Sequence, residues 1–437
     1  MTDNFETNHQ PERAFLVGAD VRGTVPLLHI DDSLDELALL ASTAGLVVVG
    51  RAVQHLKQID PATYIGSGKV EEIHHEIEQA HANVLIFDDE LSPRHQRGLE
   101  EVMGESVKVL DRSALILDIF AQHANTREGT LQVELAQYEY RLPRLTRQWT
   151  HLARQAGGGA GRGGTGGVGL RGPGETQLEV DRREISRKIS HLKADLEEVR
   201  AQRSRHRNQR TKLGTPVVAL VGYTNAGKST LLNSLTGASV YVANQLFATL
   251  DPTTRRLSLP GGKTVLVSDT VGFIQKLPTT LIAAFRATLE EVLEADILIH
   301  VVDLSHPNAR EQIEAVEDTL AEIEVPRIPR ILALNKADLW NGQQYPTDYW
   351  EHGYDAVVPV SALDGTGLEQ IKAEIEHILI EQMVEVQLYV PYNRGDLLSQ
   401  IHQLGVIDDE TSTATGTNVR AHLPRAFAAS IGAIPEN

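Results

Sequence analysis

The sequence contains no cysteine, which excludes disulfides, thiol nucleophiles and cysteine-ligated metals. Aromatic residues make up only 5% of its 437 residues, and its apolar runs are no longer than a strand. A helix that crosses a bilayer needs about 20 largely apolar residues in succession, so membrane spanning is not expected. The opening MTDNFETNHQPERAF has no basic segment followed by an apolar one. That argues against a secretory leader and makes the cytoplasm the expected location. Basic residues are in deficit overall, with a formal net charge of -18. The deficit is uneven, because Glu139 to Lys212 carries 17 Lys and Arg against 8 Asp and Glu, leaving about -27 for the rest. A basic arm on an acidic body points to directed contact with nucleic acid. A chain of this length makes about three domains.

What is present is a phosphate-binding loop. Gly222 to Thr230 reads GYTNAGKST, between the apolar run Val217 to Val221 and a helical pattern that starts near Lys228. Gly222 and Gly227 allow backbone angles at which successive N–H groups, through Tyr223, Thr224, Asn225 and Ala226, turn inward around a polyphosphate. Lys228 supplies positive charge to the β and γ phosphates, and Ser229 offers a hydroxyl to Mg²⁺. Alone, this loop specifies only a nucleoside triphosphate.

The base is selected elsewhere. Asn335, Lys336, Ala337 and Asp338 form an NKxD motif after the strand-like Ile331 to Leu334, where a doubly wound sheet carries its ligand loops. The Asp338 carboxylate can accept from both N1–H and the exocyclic amine of guanine, whereas adenine presents an acceptor there. Ser361, Ala362 and Leu363, after the strand-like Ala356 to Val360, back the same base. Out of context, NKAD also suits a helix-capping turn.

Between these motifs lies DTVG: Asp269, Thr270, Val271 and Gly272, ending the strand-like Thr264 to Ser268. Asp269 can hold Mg²⁺ through water, and the Gly272 N–H can bond a γ-phosphate that hydrolysis removes. Upstream, FATLDPTTRR from Phe247 to Arg256 precedes a hairpin expected at Gly261 and Gly262, and offers the hydroxyls of Thr249, Thr253 and Thr254 to the metal. The residue after DTVG is Phe273, where many GTPases place a water-orienting glutamine. A phenyl ring cannot hold the attacking water, so hydrolysis is expected to be slow without a partner. The alternative is that Phe273 packs beneath the switch while Gln275 orients the water.

The basic arm has its own pattern. Leu131, Leu135, Tyr138, Leu142, Leu145, Trp149 and Leu152 make one heptad stripe, and Leu178, Ile185, Ile189, Leu192, Leu196 and Val199 a second. Joined by Gly157 to Gly174, with 11 glycines among 18 residues, they imply an antiparallel helical hairpin. Pro143 kinks the first stripe or delays its start. Arg200 to Lys212 could meet phosphates but has no interleaved aromatics, which favours backbone or shape recognition over base reading.

Before the arm, strand-like Ala14 to Val17, Leu46 to Val49, Val84 to Phe87 and Val107 to Leu110 alternate with helical Asp31 to Ala44, Val70 to His81 and Pro93 to Met103. Gly66 to Lys69 looks like the end of a phosphate loop, but Thr63 stands where the first glycine belongs and Val70 where the hydroxyl belongs, so Ser67 is read as a helix cap. At the other end, Val384 to Tyr389 reads as a strand, Gly395 to Leu404 as a helix, and Glu410 to Leu423 as a hairpin turning near Gly416. The expected domains are an α/β unit at 1–125, the basic hairpin at 126–213, a doubly wound P-loop GTPase at 214–382 and a small α/β unit at 383–437.

LRGPGETQLEVDRR at Leu170 to Arg183, LFATLDPTTRR at Leu246 to Arg256 and DTVGF at Asp269 to Phe273 together resemble the HflX family of ribosome-associated GTPases. The resemblance covers the chain from the first α/β unit through the nucleotide-binding core. It implies GTP hydrolysis to GDP with Mg²⁺, and binding to the large ribosomal subunit in the GTP state for splitting, rescue or assembly. Ribosomal RNA would meet the first module and its arm, with ribosomal proteins as further contacts, and the protein would be a monomer off the ribosome. It also implies roles by position. Gly222 to Ser229 hold phosphates, and Ser229 and Thr249 ligate Mg²⁺. The first switch is formed by Phe247, Ala248, Thr249, Leu250 and Asp251, and the second by Asp269 to Gly272. Lys228, Thr249, Gly272 and Phe273 are the expected catalytic positions. The competing class is a GTP-gated protein adaptor that makes no contact with RNA.

Overall fold

The computed structural model describes residues 11–23, 26–145, 173–212, 215–238, 246–247, 249–277, 291–340, 342 and 353–433, with backbone alone for 173–178, 200, 202–212 and 426. Two compact units emerge: residues 1–199 with 245–250 and 275–287, and residues 200–244 with 251–274 and 288–437.

The first unit is built on four parallel strands in the order β2-β1-β3-β4: β1 (Arg13–Val21), β2 (Val47–Leu56), β3 (Val84–Phe87) and β4 (Lys108–Asp111). Helices α1 (Ile30–Thr43), α2 (Ser67–Ala80), α3 (Pro93–Met103) and α4 (Arg112–His123) alternate with them. The all-apolar β3 is buried on both faces, as a central parallel strand requires. One detail differs from the sequence reading. Ser67 is the first residue of α2 rather than its cap; Gly66 holds the cap position, and no side chain caps it. The N–H of Gly66 instead donates to Gln54 Oε1 at 2.9 Å, and Lys69 pairs with Glu72.

A polar cluster lies inside this unit. Arg112 (1% exposed) pairs with the buried Asp88 at 2.7 Å and with Glu36. Ser33 donates to Asp88 at 2.6 Å, and the residues just beyond DTVG join in: Gln275 Nε2 donates to Ser33 Oγ at 2.9 Å and Lys276 pairs with Asp88 and Asp89. Burial pushes the Asp88 carboxyl up, and the Lys276 ammonium opposes it. Gln275 is therefore a buried donor to Ser33.

Helix α5 (Arg127–Arg141) ends where Pro143 imposes a 3₁₀ turn over Leu142–Arg144, an interruption at the proline that the sequence singled out. The face of α5 that is buried is Gly129, Gln132, Val133 and Ala136, with Leu131, Leu135 and Tyr138 half-buried beside it. Trp149 and Leu152 lie outside the described residues, as does the glycine-rich linker up to residue 172. Helix α6 (Pro173–Lys212) runs 40 residues from a proline at its first position. Its stripe is the least exposed face, with Leu192 and Leu196 buried, and Lys193 and Lys188 reach Glu139 and Tyr138 of α5.

The second unit contains a six-stranded sheet ordered β10-β9-β8-β5-β7-β6. Its strands are β5 (Val217–Gly222), β6 (Thr253–Ser258), β7 (Thr264–Asp269), β8 (Ile297–Asp303), β9 (Arg330–Asn335) and β10 (Ala356–Pro359). All pairings are parallel except the β6–β7 hairpin, which turns at Gly261 and Gly262 as expected. Helices α7 (Lys228–Thr236), α8 (Ala309–Glu322) and α9 (Leu368–Glu381) flank it. Leu231, Leu232, Ile299, Ile331 and Ile375 fill one face. The same unit holds an antiparallel sheet ordered β11-β13-β12, from β11 (Met383–Pro391), β12 (Val406–Ser412) and β13 (Gly416–Pro424), covered by α10 (Gly395–Leu404) and α11 (Arg425–Ser430). The hairpin opening at Gly416 matches the sequence reading, and α11 is an addition to it. Among the described residues, no helix is long and apolar enough to cross a membrane.

Candidate functional site

Parallel strands deliver the loops at their carboxyl ends to one edge of the sheet. Here β5, β7, β8, β9 and β10 bring residues 222–229, 269–273, 303–305, 335–338 and 360–363 to that edge.

The phosphate loop is shaped by contacts that only glycine tolerates. Gly222 has φ +149, and a Cβ there would lie 2.2 Å from the Val301 carbonyl oxygen on β8. Gly227 has φ +95, and its Cβ would strike Asn335 Nδ2 at 2.2 Å. Asn225, also at positive φ, is exposed on the loop, whereas Tyr223, Thr224 and Ala226 are buried beneath it. Lys228 is buried and donates to the carbonyl oxygens of Gly222 (3.0 Å) and Tyr223 (2.8 Å). Burial pushes its ammonium down to about 8, although the Asp269 carboxylate pulls the other way. A polyanion placed against the loop would favour the charged form.

Ser229 Oγ donates to Asp269 Oδ2 at 2.6 Å, so the two residues expected at the metal are adjacent. Asp269 and Thr270 are fully buried, and the Thr270 hydroxyl donates to the Leu220 carbonyl, fixing the start of DTVG to β5. Val271 is buried behind it. Gly272 sits tightly: a Cβ would be 2.8 Å from Thr224 Cα and 3.0 Å from Lys228 Nζ. Phe273 is buried, and its backbone exchanges hydrogen bonds with the phosphate loop, from Phe273 N to Gly222 O (3.0 Å) and from Thr224 N to Phe273 O (2.8 Å). Its ring offers no group that could hold water.

The Asn335 side chain ties the base loops to the phosphate loop. Asn335, 2% exposed, donates from Nδ2 to Ala226 O at 2.8 Å and accepts at Oδ1 from Ala362 N at 3.0 Å. The spacing of NKxD suggested that Asn335 belonged to the base site; its bridging role becomes visible only in three dimensions. Lys336 adopts φ 60, ψ 34, and Ala337 is buried, its N–H bonded to Val360 O. Asp338 is exposed at the edge, Ser361 is fully buried, and Leu363 is 83% exposed. Sequence reasoning missed Asp303, which ends β8 and pairs with Lys336 at 2.6 Å. Its only signal was a carboxylate at the end of an apolar strand.

Residues of the first switch divide. Phe247, Thr249 and Leu250 belong to the first unit, where Phe247, at φ +58, packs edge-on against Phe120 with ring centroids 4.6 Å apart. Asp251 belongs to the second unit, and Ala248 lies outside the described residues.

Three family models match in succession: "GTP-binding GTPase N-terminal" over residues 31–121, "GTP-binding GTPase Middle Region" over 123–210 and "50S ribosome-binding GTPase" over 217–336. Curated proteins named GTPase HflX are similar over most of their length. That of Alkalihalophilus pseudofirmus is 46% identical over 90% of this chain and 88% of its own. That of Caldanaerobacter subterraneus subsp. tengcongensis is 44% identical over the same shares. That of Lacrimispora saccharolytica is 43% identical over 99% of this chain and 98% of its own. A solved structure described as "crystal structure of SsGBP and GDP complex" is 26% identical, covers 84% of this chain and 98% of its own, and has a TM-score of 0.48. A nucleotide-binding core alone would leave likeness only around its loops, whereas here 46% identity extends over 90% of the chain, which therefore belongs to the HflX family of GTP-hydrolysing enzymes.

Proposed function

We propose that this GTPase binds the large ribosomal subunit in its GTP state and acts in ribosome splitting, rescue, recycling or biogenesis, with hydrolysis returning it to a weakly binding form. The observation that carries this reading is the pairing of a core matching "50S ribosome-binding GTPase" with the basic arm that precedes it. The acidic remainder disfavours general adhesion to RNA, so recognition falls to the arm and the first α/β unit. The work is done off the membrane, in the cytoplasm, by a single chain.

In the nucleotide site, the N–H groups of Gly222 to Ser229 surround the phosphates, and Lys228 exchanges its two carbonyl acceptors for phosphate oxygens. Ser229, Thr249 and, through water, Asp269 would hold Mg²⁺, which supplies positive charge to the β and γ phosphates. The adjacency of the Ser229 hydroxyl and the Asp269 carboxylate suits that ion. Asn335 to Asp338 and Ser361 to Leu363 hold guanine. Water attacks the γ-phosphorus, the bond to the bridging oxygen breaks, and GDP and phosphate leave. The Phe273 ring offers no group to hold that water, so hydrolysis is slow until a partner completes the site.

Co-sedimentation with purified large subunits at two salt concentrations tests the reading. Association that requires a non-hydrolysable GTP analogue and weakens with salt is expected. Equal retention with GDP, or salt-insensitive capture by a protein in ribosome-free extract, refutes it.

A further inference from the structure

Asp303, which ends β8, is bonded through both carboxylate oxygens. Asp303 and Asn335 are register partners at the ends of β8 and β9, and Leu304 N donates to Asn335 O at 2.9 Å, so the two loops leave the sheet together. Asp303 Oδ1 accepts from Ser305 N at 3.0 Å and from Ser305 Oγ at 2.6 Å. Its other oxygen takes the Lys336 ammonium at 2.6 Å. An exposed lysine–carboxylate pair fluctuates and contributes little. Here the side chains are 12% and 29% exposed, and the acceptor is already held by Ser305. Lys336 is held at the backbone as well, in the left-handed region, with Leu339 N donating to Lys336 O and Ala337 N to Val360 O.

We propose that Asp303 is a positioning residue for guanine recognition: it fixes the Lys336 ammonium so that the Asp338 carboxylate stays available to the base. The inference rests on the reading of Asn335 to Asp338 as the guanine motif. A lysine has a flexible four-carbon stem and a mobile point charge. Two residues from Asp338, an untethered ammonium competes with the guanine N1–H and amine for that carboxylate. Tethered to Asp303, it leaves Asp338 unneutralised, and its apolar stem becomes a fixed wall between the base loop and the end of β8.

The test is a double-mutant cycle on the full chain, D303N and K336Q singly and together, read by the release rate of a fluorescent GDP and by the thermal midpoint. D303N should speed GDP release about five- to tenfold. The double variant should release no faster than K336Q alone, and D303E should restore part of the loss. A simple structural role would lower the midpoint equally in both backgrounds and multiply the two release effects, and that outcome overturns the proposal, as does wild-type release from D303N. If D303N does not fold, D303S is read in the same way. If K336Q and D338N both keep wild-type GDP release and wild-type preference for guanine over xanthine nucleotides, the guanine motif itself is misread and this inference falls with it.

Discussion

Truncating Asn335 to alanine removes a side chain that bonds both the phosphate loop and the loop after β10. In the folded protein its amide donates to Ala226 O at 2.8 Å and receives the Ala362 N–H at 3.0 Å, with Ala226 1% and Ala362 5% exposed. Both backbone groups are buried in the native fold and lose their partner when the amide is gone. A buried polar group left without its partner costs about 1–3 kcal/mol, so the two together should cost about 2–6 kcal/mol of stability. The loss should also reach the ligand, because the phosphate loop and the base loops would no longer be held in a shared geometry. GDP affinity should fall at least about tenfold, the equivalent of about 1.4 kcal/mol. Asn335→Asp sharpens the test. It keeps the acceptor for Ala362 but turns a carboxylate oxygen toward the Ala226 carbonyl, so it should be at least as damaging as Asn335→Ala despite its closer shape. Thermal unfolding and titration calorimetry with GDP measure both effects. An N335A protein with unchanged midpoint and unchanged GDP affinity would show that the bridge has no mechanical role, and N335D milder than N335A would show that the donor assignment is wrong.

Three further predictions rest on separate parts of the molecule. Gly227→Ala places a Cβ at φ +95 and 2.2 Å from Asn335 Nδ2, so it should cost about 2–4 kcal/mol and abolish measurable GDP binding by calorimetry; retained affinity would refute the loop geometry. Lys228 is held near 8 by burial, below its ordinary 10.5, so the unfolded chain binds more protons between those values and the nucleotide-free protein should gain stability as pH rises through that window. Relative to Lys228→Met, the gain from pH 7.5 to 9.5 should be about 2 kcal/mol by denaturant titration and should vanish with GDP bound; a flat difference would count against it. Arg112→Met removes the guanidinium from the Asp88 and Glu36 carboxylates in the first unit and should cost about 3–5 kcal/mol, whereas a variant as stable as the parent would mean that the remaining partners, Lys276 and Ser33 among them, suffice.

Elements carried by local chemistry were legible from the residues alone. The alternation of apolar runs with helical periods marked the four strands of the first sheet and β5, β7, β9 and β10 of the second, but not β8, α4, α8 or α9, and α3 and α10 begin and end at the residues expected. GxxxxGKS, DTVG and NKxD were readable because their chemistry depends on residue type at fixed spacing, and each does follow a strand. The departures have physical reasons. The sequence left open whether Pro143 kinks the first stripe or delays its start; the ring clashes with the preceding turn and ends α5 at Arg141. Ser67 had the right chemistry for a cap, yet the extended residue at the head of α2 is Gly66.

By itself, the sequence determined the reaction class, the guanine preference expected of the base motif, and the acidic body with its basic arm, because these depend on which groups are present and in what order. Only the tertiary structure decided which groups meet. Asp303 lies 33 residues from Lys336, Ala226 lies 109 from Asn335, and Asp88 lies 188 from Lys276. Contacts across such separations are set by strand register and loop closure, and no local pattern of residues encodes them.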